Sequence, residues 1–537
     1  MSRLRTAAHV AVLLFKGLFT ATVIAIPVAG VWAASSLAAY QNGPIWLAVV
    51  SGALLFPGLP LLWEGIAVLR RGRKEDPPDH ILTFWDRLIL RTFLVNAFFV
   101  TSFLLLFPKP VFAALTTRGD WMFEETPSLQ AAGDALLGAA DRLSWLWEFS
   151  HENPYDDFDE DADILPGELG TGAGTGAGTG AGTGTGAGTG TGAGAGTGAD
   201  AGTGTGAGAG ADADAGAGAG TGADAGTGAG TGAGAGTDTS PDSPSAPAQP
   251  DHSWPFATAL HPLVKDFPEA HAGTLRAVGL YLAAEEPDPF QRAKAVHDYV
   301  ADRVAYDAPS LAVGRYPPQD AETVFQQRIG VCAGYARLVR AIGRAADLEV
   351  VYVVGDARVG DQTEPTGEGH AWNAIRLEEQ WYLMDATWAA GSVDGTVFTK
   401  RYSSDGFLAP PEVFGIRHFP EEPRWQLRNE PLTRGEFNRQ PMLRARFYVH
   451  GFQLRSPDRS QVDTRSDFLA QVTSTGSHWL MVRAEPRGGG QPIDCGVHHG
   501  RDLDIRCVLP RAGTYTVRFF DSPRQYGESY YGAGSVM

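Results

Sequence analysis

One tract, residues 170–237, cannot form a packed core, and it divides the chain. It consists almost only of glycine, alanine and threonine, with four aspartates and no proline. Glycine at nearly every second position excludes collagen, which needs glycine at every third position together with proline. We therefore expect residues 170–250, with their proline-rich end, to be a disordered linker. About 68 residues of such coil span roughly 40 to 50 Å, enough to hold a domain away from a membrane.

Three runs without charged residues precede the linker, at residues 17–37, 45–63 and 92–107. Runs of this kind predict transmembrane helices, although buried core helices remain an alternative, above all for the short third run. A cleaved signal peptide is a further alternative for the first run. We assign residues 1–118 to a membrane anchor of three helices.

Basic residues predict the orientation of this anchor. The stretch between the second and third runs is rich in them, whereas the loop between the first and second has none. The basic residues of this stretch are Arg70, Arg71, Arg73, Lys74, Arg87 and Arg91. Because basic loops stay in the cytoplasm, we expect the N-terminus inside and everything after residue 118 on the extracytoplasmic side.

Residues 119–169 join the anchor to the linker. Leu137, Ala140 and Leu143 recur at helical spacing, which predicts an amphipathic helix at the membrane surface or packed on the anchor. An acidic segment follows that partly matches a calcium-binding loop, but Ala162 stands where the turn of such a loop needs glycine. We expect a solvated acidic segment and no metal.

A cysteine, a histidine and an aspartate stand in marked contexts after the linker. Cys332 precedes a predicted helix, whose N-terminal dipole favours a thiolate. His370 lies in a predicted strand, and Asp385 ends the next one. These residue types suit a nucleophile, a base and a group that orients the base. The alternative for each residue taken singly is structural, such as a buried, inert thiol.

The three contexts resemble the motifs of the transglutaminase-like superfamily. They are Gly-Val-Cys-Ala-Gly-Tyr at 330–335, Gly-His-Ala-Trp-Asn at 369–373 and Trp-Tyr-Leu-Met-Asp-Ala-Thr-Trp at 381–388. Together with Pro-Pro-Glu-Val-Phe at 410–414 and His-Phe-Pro at 418–420, they are most similar to the branch of kyphoscoliosis peptidase-like proteins. The resemblance implies a papain-like α+β core within residues 251–430, on a membrane-anchored chain of bacterial type.

The resemblance also implies roles for particular residues. Cys332 would be the nucleophile, His370 the base and acid, and Asp385 the orienting group. Acyl transfer from a protein or peptide amide to water or to an amine would need no cofactor or metal. Trp372, Trp388 and Tyr335 are candidates for the site wall, with core packing equally open for the two tryptophans. Gln327 or Gln326 is the candidate to assist an oxyanion.

Residues 431–537 show short alternating strands, which predict an all-β, immunoglobulin-like sandwich. Cys495 and Cys507 lie on neighbouring predicted strands, where a disulfide would suit an oxidising exterior; in the cytoplasm both would be free thiols. The formal net charge of −18 argues against a nucleic-acid partner.

Three functions remain open at this level. The first is an extracytoplasmic cysteine enzyme that hydrolyses or crosslinks proteins or peptides, with cell-wall peptides as one candidate substrate. The second is a catalytically silent binding or scaffold module with the same fold. The third is a structural tether whose membrane part and linker matter most. The complete Cys-His-Asp set favours the first.

Overall fold

The computed structural model describes residues 2–41, 43, 45–71, 83–123, 126–150, 153–155, 252–359, 367–465, 467–499, 502–525 and 530–537. The acidic segment from residue 156 onward and the Gly/Ala/Thr linker lie outside the described residues. Disorder of the linker therefore stays a prediction.

Four helices form the N-terminal part: α1 (Ser2–Tyr40), α2 (Ile45–Ala53), α3 (Leu59–Arg71) and α4 (Phe84–Leu106). A kink at Phe56 separates α2 from α3. Within the described residues, three stretches are long and apolar enough to cross a membrane: Leu18–Tyr40, Trp46–Arg70 and Phe84–Leu106. These stretches agree with the three predicted runs. The third is 23 residues long, which is enough for a helix to cross the hydrocarbon core of a bilayer.

Two basic residues expected in the loop lie inside α4 instead. Arg87 and Arg91 occupy its first turns, and both form ion pairs with Glu64 of α3. Glu64 is 3 % exposed. Charges at this depth are tolerated because they pair with each other. The pairing explains how the third span extends beyond its uncharged core of residues 92–107.

The membrane-proximal segment, which we define as residues 108–155, follows α4 directly. It contains α5 (Pro108–Arg118), α6 (Gln130–Asp141) and α7 (Trp145–Glu148). The predicted amphipathic face is the packed one, since Ala140 of α6 lies against Val111 and Leu115 of α5. The same cluster includes Trp32 of α1 and Phe103 of α4, so the segment packs on the anchor.

Ion pairs join this segment to residues near the start of the C-terminal domain. The Arg439 guanidinium donates to both carboxylate oxygens of Asp141, at 3.1 and 2.9 Å. Arg459 donates to Asp120 at 3.0 Å, and Arg118 pairs with Asp463. The sequence predicts that the linker lets the folded domain sample space well clear of the membrane, whereas these ion pairs join that domain to the membrane-proximal segment. Residues before and after the linker belong to one packed body.

In the central domain, helices pack against a main antiparallel sheet. Its helices are α8 (Pro262–Lys265), α9 (Leu275–Glu285), α10 (Pro289–Arg303), α11 (Ala308–Val313), α12 (Ala321–Gln327), α13 (Cys332–Ala345), α14 (Ala386–Ala390) and α15 (Pro411–Phe414). Its strands are β1 (Ala305–Tyr306), β2 (Ile329–Gly330), β3 (Glu349–Ala357), β4 (Glu368–Leu377), β5 (Gln380–Met384), β6 (Gly391–Asp394), β7 (Val397–Lys400) and β8 (His418–Pro420). The main sheet has the order β5-β4-β3-β8.

Helix α13 lies at the centre of this domain, between the sheet and the helices α9 and α10. Apolar side chains from all of these elements form one buried core, to which α13 contributes Leu338 and Ile342. Asp288 caps α10, because its carboxylate accepts from the N–H groups of Phe290 and Gln291. The α+β core expected from the sequence is confirmed.

The C-terminal domain consists of two antiparallel sheets. Its helices α16 (Arg434–Arg439) and α17 (Ala445–Val449) precede or interrupt the strands β9 (Met442–Leu443), β10 (Phe452–Ser456), β11 (Asp467–Ser474), β12 (Trp479–Pro486), β13 (Ile493–Asp494), β14 (Gly496–His499), β15 (Asp502–Val508), β16 (Tyr515–Ser522) and β17 (Tyr531–Val536). The sheet orders are β10-β11-β15-β14 and β13-β12-β16-β17-β9. Inward residues of both sheets share one core, as a sandwich requires. Cys495 and Cys507 form a disulfide.

Candidate active site

Cys332 is the first residue of α13 and keeps a free thiol, 1 % exposed. Val331 before it is extended, and its N–H donates to the side-chain oxygen of Gln319 at 2.8 Å. The first turn of a helix leaves backbone N–H groups outside the intrahelical ladder. An anion that forms beside Cys332 would therefore meet donors and the positive end of the helix dipole.

His370 and Asp385 reach each other from neighbouring strands. His370 lies on β4, while Asp385 directly follows β5 and caps α14. The Nε2 atom of His370 lies 2.8 Å from Oδ2 of Asp385. The other carboxylate oxygen of Asp385 accepts from the N–H groups of Thr387 and Trp388, at 2.9 and 3.1 Å. The cap therefore fixes the carboxylate that orients the imidazole.

The three side chains interact with one another. Burial by itself would lower the pKa of His370, but the charges and hydrogen bonds of Asp385 and Cys332 raise that pKa to about 10. Burial would likewise raise the pKa of Asp385, but His370 and His418 outweigh it and hold the pKa well below its usual range. The structure thus brings Cys332, His370 and Asp385 together, with the imidazole between thiol and carboxylate. This arrangement suits proton transfer to and from an attacking thiol.

A second imidazole contacts the same aspartate. His418 lies on β8, and its Nε2 is 3.0 Å from Oδ2 of Asp385. Its ring stacks on Phe414, with centroids 3.9 Å apart. Burial lowers the pKa of His418 against the opposing effect of Asp385. Both ring nitrogens face an acceptor, since Nδ1 lies 3.3 Å from the carbonyl oxygen of Phe414. A neutral ring has one proton for these two acceptors, and the charged, nearer carboxylate of Asp385 favours the tautomer in which Nε2 donates.

The sequence signal for His418 was present in the motif at 418–420, but nothing in the sequence located its side chain. Strand β8 pairs with β3 at residues 355–357, so the contact with Asp385 arises only when the sheet forms. Gly355 permits this approach, because a Cβ there would lie 2.3 Å from the carbonyl oxygen of Phe419.

A cavity of about 390 Å³ opens beside the imidazoles, lined by His370, Asp385, Trp388 and His418 among others. Trp388 is partly exposed, with its ring 5.4 Å from that of His370. The guanidinium of Arg417 lies over the Trp388 ring at 4.6 Å. The structure therefore places Trp388 on the wall of the candidate site.

The other two candidates for the wall, and the candidate Gln327 for assisting an oxyanion, lie elsewhere. Trp372 is 1 % exposed and belongs to a core cluster behind His370. Tyr335 is fully buried, and its hydroxyl donates to the carbonyl of Val304 at 2.7 Å. Gln327 is exposed on α12, whose buried face is formed by Val324 and Phe325. None of the three is among the residues that line the described cavity.

A glutamine that contacts the residue before the nucleophile is Gln319, which the sequence did not single out. It is 1 % exposed, and a Cβ on Gly334 would lie 2.5 Å from its side-chain oxygen. Its amide nitrogen donates to the carbonyl of Pro317 at 3.0 Å. Gln319 therefore braces the start of α13 through Val331.

A short part of the membrane-proximal segment, Asn153 to Tyr155, also reaches the site. Tyr155 is 2 % exposed and packs in one cluster with Cys332 and Tyr352. Burial and the neighbouring Cys332 thiol raise the pKa of its phenol. Tyr155 is among the residues that line the cavity, whereas Cys332 is not. Sequence reasoning missed this contact because more than 170 residues separate the two side chains.

Comparison with known proteins gives the family. The model of the transglutaminase-like superfamily matches residues 276–386, which include Cys332, His370 and Asp385. The central domain belongs to the transglutaminase-like superfamily. Kyphoscoliosis peptidase of Mus musculus is 30 % identical over 189 residues, which cover 34 % of this chain and 29 % of the relative. The human protein of that name is 30 % identical over 190 residues, with the same coverage.

Two further matches are less similar in sequence. The Lim and transglutaminase domain protein ltd-1 of Caenorhabditis elegans is 22 % identical over 185 residues, 32 % of this chain and 23 % of that protein. A solved structure described as a TGase is 22 % identical in sequence. The match covers 22 % of this chain and 32 % of the chain in that structure. Its TM-score of 0.18 is too low to support any conclusion. The chain spans less than a third of the curated relatives it matches.

Proposed function

We propose that this chain is a membrane-anchored cysteine acyl-transfer enzyme that acts on an amide of a protein or peptide. One observation carries the proposal: the Nε2 atom of the buried His370 imidazole lies 2.8 Å from Oδ2 of Asp385, and Asp385 and Cys332 raise the pKa of this imidazole against the effect of burial. The transglutaminase-like domain supports it, because members of this superfamily usually perform cysteine-dependent acyl transfer. The three apolar spans support the membrane anchor.

The steps follow from this arrangement. The thiolate sulfur of Cys332 forms a bond to the substrate carbonyl carbon, and the resulting oxyanion faces the first turn of α13. His370, protonated when the thiolate forms, gives its proton to the leaving nitrogen as the C–N bond breaks. Water or an amine then attacks the thioester and loses a proton to His370. The products are the free thiol and an acid or a new amide.

The proposed site faces the extracytoplasmic side of the membrane. The basic residues between the second and third spans support a cytoplasmic loop there. The disulfide between Cys495 and Cys507 suits an oxidising compartment. A reporter that is active only in the cytoplasm, fused after Met537, tests this orientation. Activity of that reporter would overturn it.

A silent binding module is the second candidate, and the burial of Cys332 favours it. A thiol that is 1 % exposed and covered by Tyr155 cannot meet a substrate in the described conformation. The enzyme assay therefore includes a Tyr155→Ala variant, in which this cover is removed.

The test uses the full chain in detergent, with casein and a fluorescent amine as substrates. Wild type, Tyr155→Ala, and each with Cys332→Ala are compared. Incorporation of the amine indicates transfer, and new termini indicate hydrolysis, the outcome that the relatives named peptidase favour. Either product must depend on Cys332. If neither chain with Cys332 forms a product, the silent module is preferred for this substrate.

A further inference from the structure

The segment from Asn153 to Tyr155 is seated on the candidate site by specific contacts. The side-chain amide of Asn153 donates to the carbonyl of Gly355 on β3 at 2.8 Å. Its side-chain oxygen accepts from the N–H of Tyr155 at 3.1 Å. Asn153 is 5 % exposed. A polar side chain this buried, with both ends bonded, holds the segment in one conformation against the sheet.

Strand β4, which contains His370, leaves room for the segment from Asn153 to Tyr155. Gly369 directly precedes His370, and a Cβ at Gly369 would lie 2.8 Å from the Asn153 side-chain oxygen and 2.9 Å from Pro154. Real Cβ atoms do not approach other atoms so closely without a shift. A glycine beside the base thus makes a path for a peptide backbone across the site.

Tyr155 enters an aromatic subsite beside the nucleophile. Its ring packs with Cys332, Ala336 and Tyr352, and lies 5.9 Å from the ring of Tyr316. The Tyr352 hydroxyl is 3.4 Å from the Tyr155 carbonyl oxygen. The subsite therefore contacts both the ring and the main chain of its occupant, as a peptide-binding site does.

We propose that Asn153, Pro154 and Tyr155 occupy the substrate cleft from within the chain, so that the resting protein is blocked at Cys332. We further infer that the subsite of Tyr155 accepts an aromatic side chain of the peptide substrate once the segment leaves. The second statement rests on the proposed function, whereas the first does not. Covalent attachment makes the internal occupant effective, since a tethered group competes at an effective concentration on the order of millimolar.

Alkylation of Cys332 by iodoacetamide tests the block without knowledge of the substrate. The other two cysteines form a disulfide, so the label reports Cys332 alone. We expect slow labelling of the full chain in detergent and labelling at least tenfold faster in Tyr155→Ala. Trp145→Ala is the matched control, because Trp145 lies in the same segment but is 52 % exposed. Equal rates in wild type and Tyr155→Ala would overturn the block.

A second variant keeps the test valid if Tyr155→Ala unfolds. Tyr155→Cys places a second thiol at the base of the space that the Tyr155 ring fills beside Cys332. Dibromobimane, whose two bromomethyl arms bridge the gap that a lost aromatic ring leaves, should alkylate both thiols with release of two bromide ions and two protons, which cross-links the two residues. Reverse-phase peptide mapping identifies the cross-link. Absence of this cross-link in a folded variant would contradict the seating of the segment.

A separate experiment tests the aromatic preference of the subsite that Tyr155 occupies. Acetyl-Asn-Pro-Tyr-amide at millimolar concentration should slow alkylation of the Tyr155→Ala variant several-fold, and acetyl-Asn-Pro-Ala-amide should not. Equal effects of the two peptides would overturn the aromatic preference. The double variant Tyr155→Ala/His370→Ala separates this outcome from the proposed function. If its labelling is as fast as that of Tyr155→Ala, then the imidazole does not activate the thiol, whatever the peptides do.

Discussion

His370 and His418 place their Nε2 atoms 2.8 and 3.0 Å from one and the same oxygen, Oδ2 of Asp385. The two imidazoles differ in charge, because the pKa of His370 is raised by Asp385 and Cys332 against burial, while burial lowers that of His418. We infer that His418 is a positioning residue. It holds the carboxylate in place without contact with the reacting sulfur.

The first prediction concerns His418→Gln, in the Tyr155→Ala background that exposes the thiol. Loss of a hydrogen bond to a charged group costs about 1.5–3 kcal/mol, so alkylation of Cys332 should slow by roughly tenfold or more. The alkaline limit of its pH profile should also move, which simple loosening of the structure would not cause. His252→Gln, which changes a partly exposed histidine beside Asp288, is the control. An unchanged pH profile would rule out the positioning role.

The second prediction concerns stability and pH. The folded pKa of His370 is about 10, against about 6.5 in an unfolded chain. Its contribution to the free energy of unfolding is therefore complete below about pH 6.5 and is lost as pH rises toward 10. The contribution of Asp385 has the opposite pH dependence. Because the pKa of Asp385 is lowered in the folded chain, its contribution to the free energy of unfolding is present above about pH 4 and is lost as pH falls. Urea denaturation should show that wild type exceeds His370→Gln in stability at pH 6.5, and that the difference shrinks by pH 10. A difference that grows with pH would contradict this sign.

The third prediction separates the two tryptophans. Trp372 is 1 % exposed within a core cluster, so Trp372→Ala should lower the free energy of unfolding by about 3–5 kcal/mol. Trp388 lines the cavity beside His370, so Trp388→Ala should mainly change substrate turnover or inhibitor affinity. Denaturant midpoints and steady-state kinetics distinguish the two. Equal destabilisation by both substitutions would remove Trp388 from the site wall.

The fourth prediction concerns the ion pair between Arg439 and Asp141, whose side chains are 15 and 11 % exposed. Removal of one partner leaves the other poorly solvated. Arg439→Ala should therefore increase hydrogen exchange in α6 and, because α6 leads to Tyr155, speed alkylation of Cys332. The pair Arg424–Glu422, with side chains 69 and 59 % exposed, provides the control Arg424→Ala. Like most surface ion pairs, it should have little effect.

The fifth prediction concerns the linker. Because α5 and α6 contact residues of the C-terminal half directly, a protease site inserted in the Gly/Ala/Thr tract should allow cleavage without separation. After cleavage in detergent, the two halves should elute together on size exclusion. Addition of Arg439→Ala should weaken their association. Immediate separation of the wild-type halves would restore the view that the linker alone connects them.

Sequence motifs located Cys332, His370 and Asp385 because each sits in a short, distinctive context. The spans were predictable for a similar reason, since uncharged runs are a local property of the chain. The third span was underestimated because Arg87 and Arg91 interrupt the run, and only the fold pairs them with Glu64. Local patterns reveal charges but not their partners.

The sequence by itself thus determined which residues carry the candidate chemistry, which stretches are apolar enough for a membrane, and that the glycine tract cannot build a core. Only the tertiary structure decided what surrounds Cys332. Tyr155, Gln319 and His418 come from distant parts of the chain, and no periodicity or motif encodes contacts across such separations. Packing brings them together, because burial of an apolar core and satisfaction of its polar groups depend on the whole fold. The cysteine predicted as a nucleophile is therefore, in the structure, a cysteine covered by its own chain.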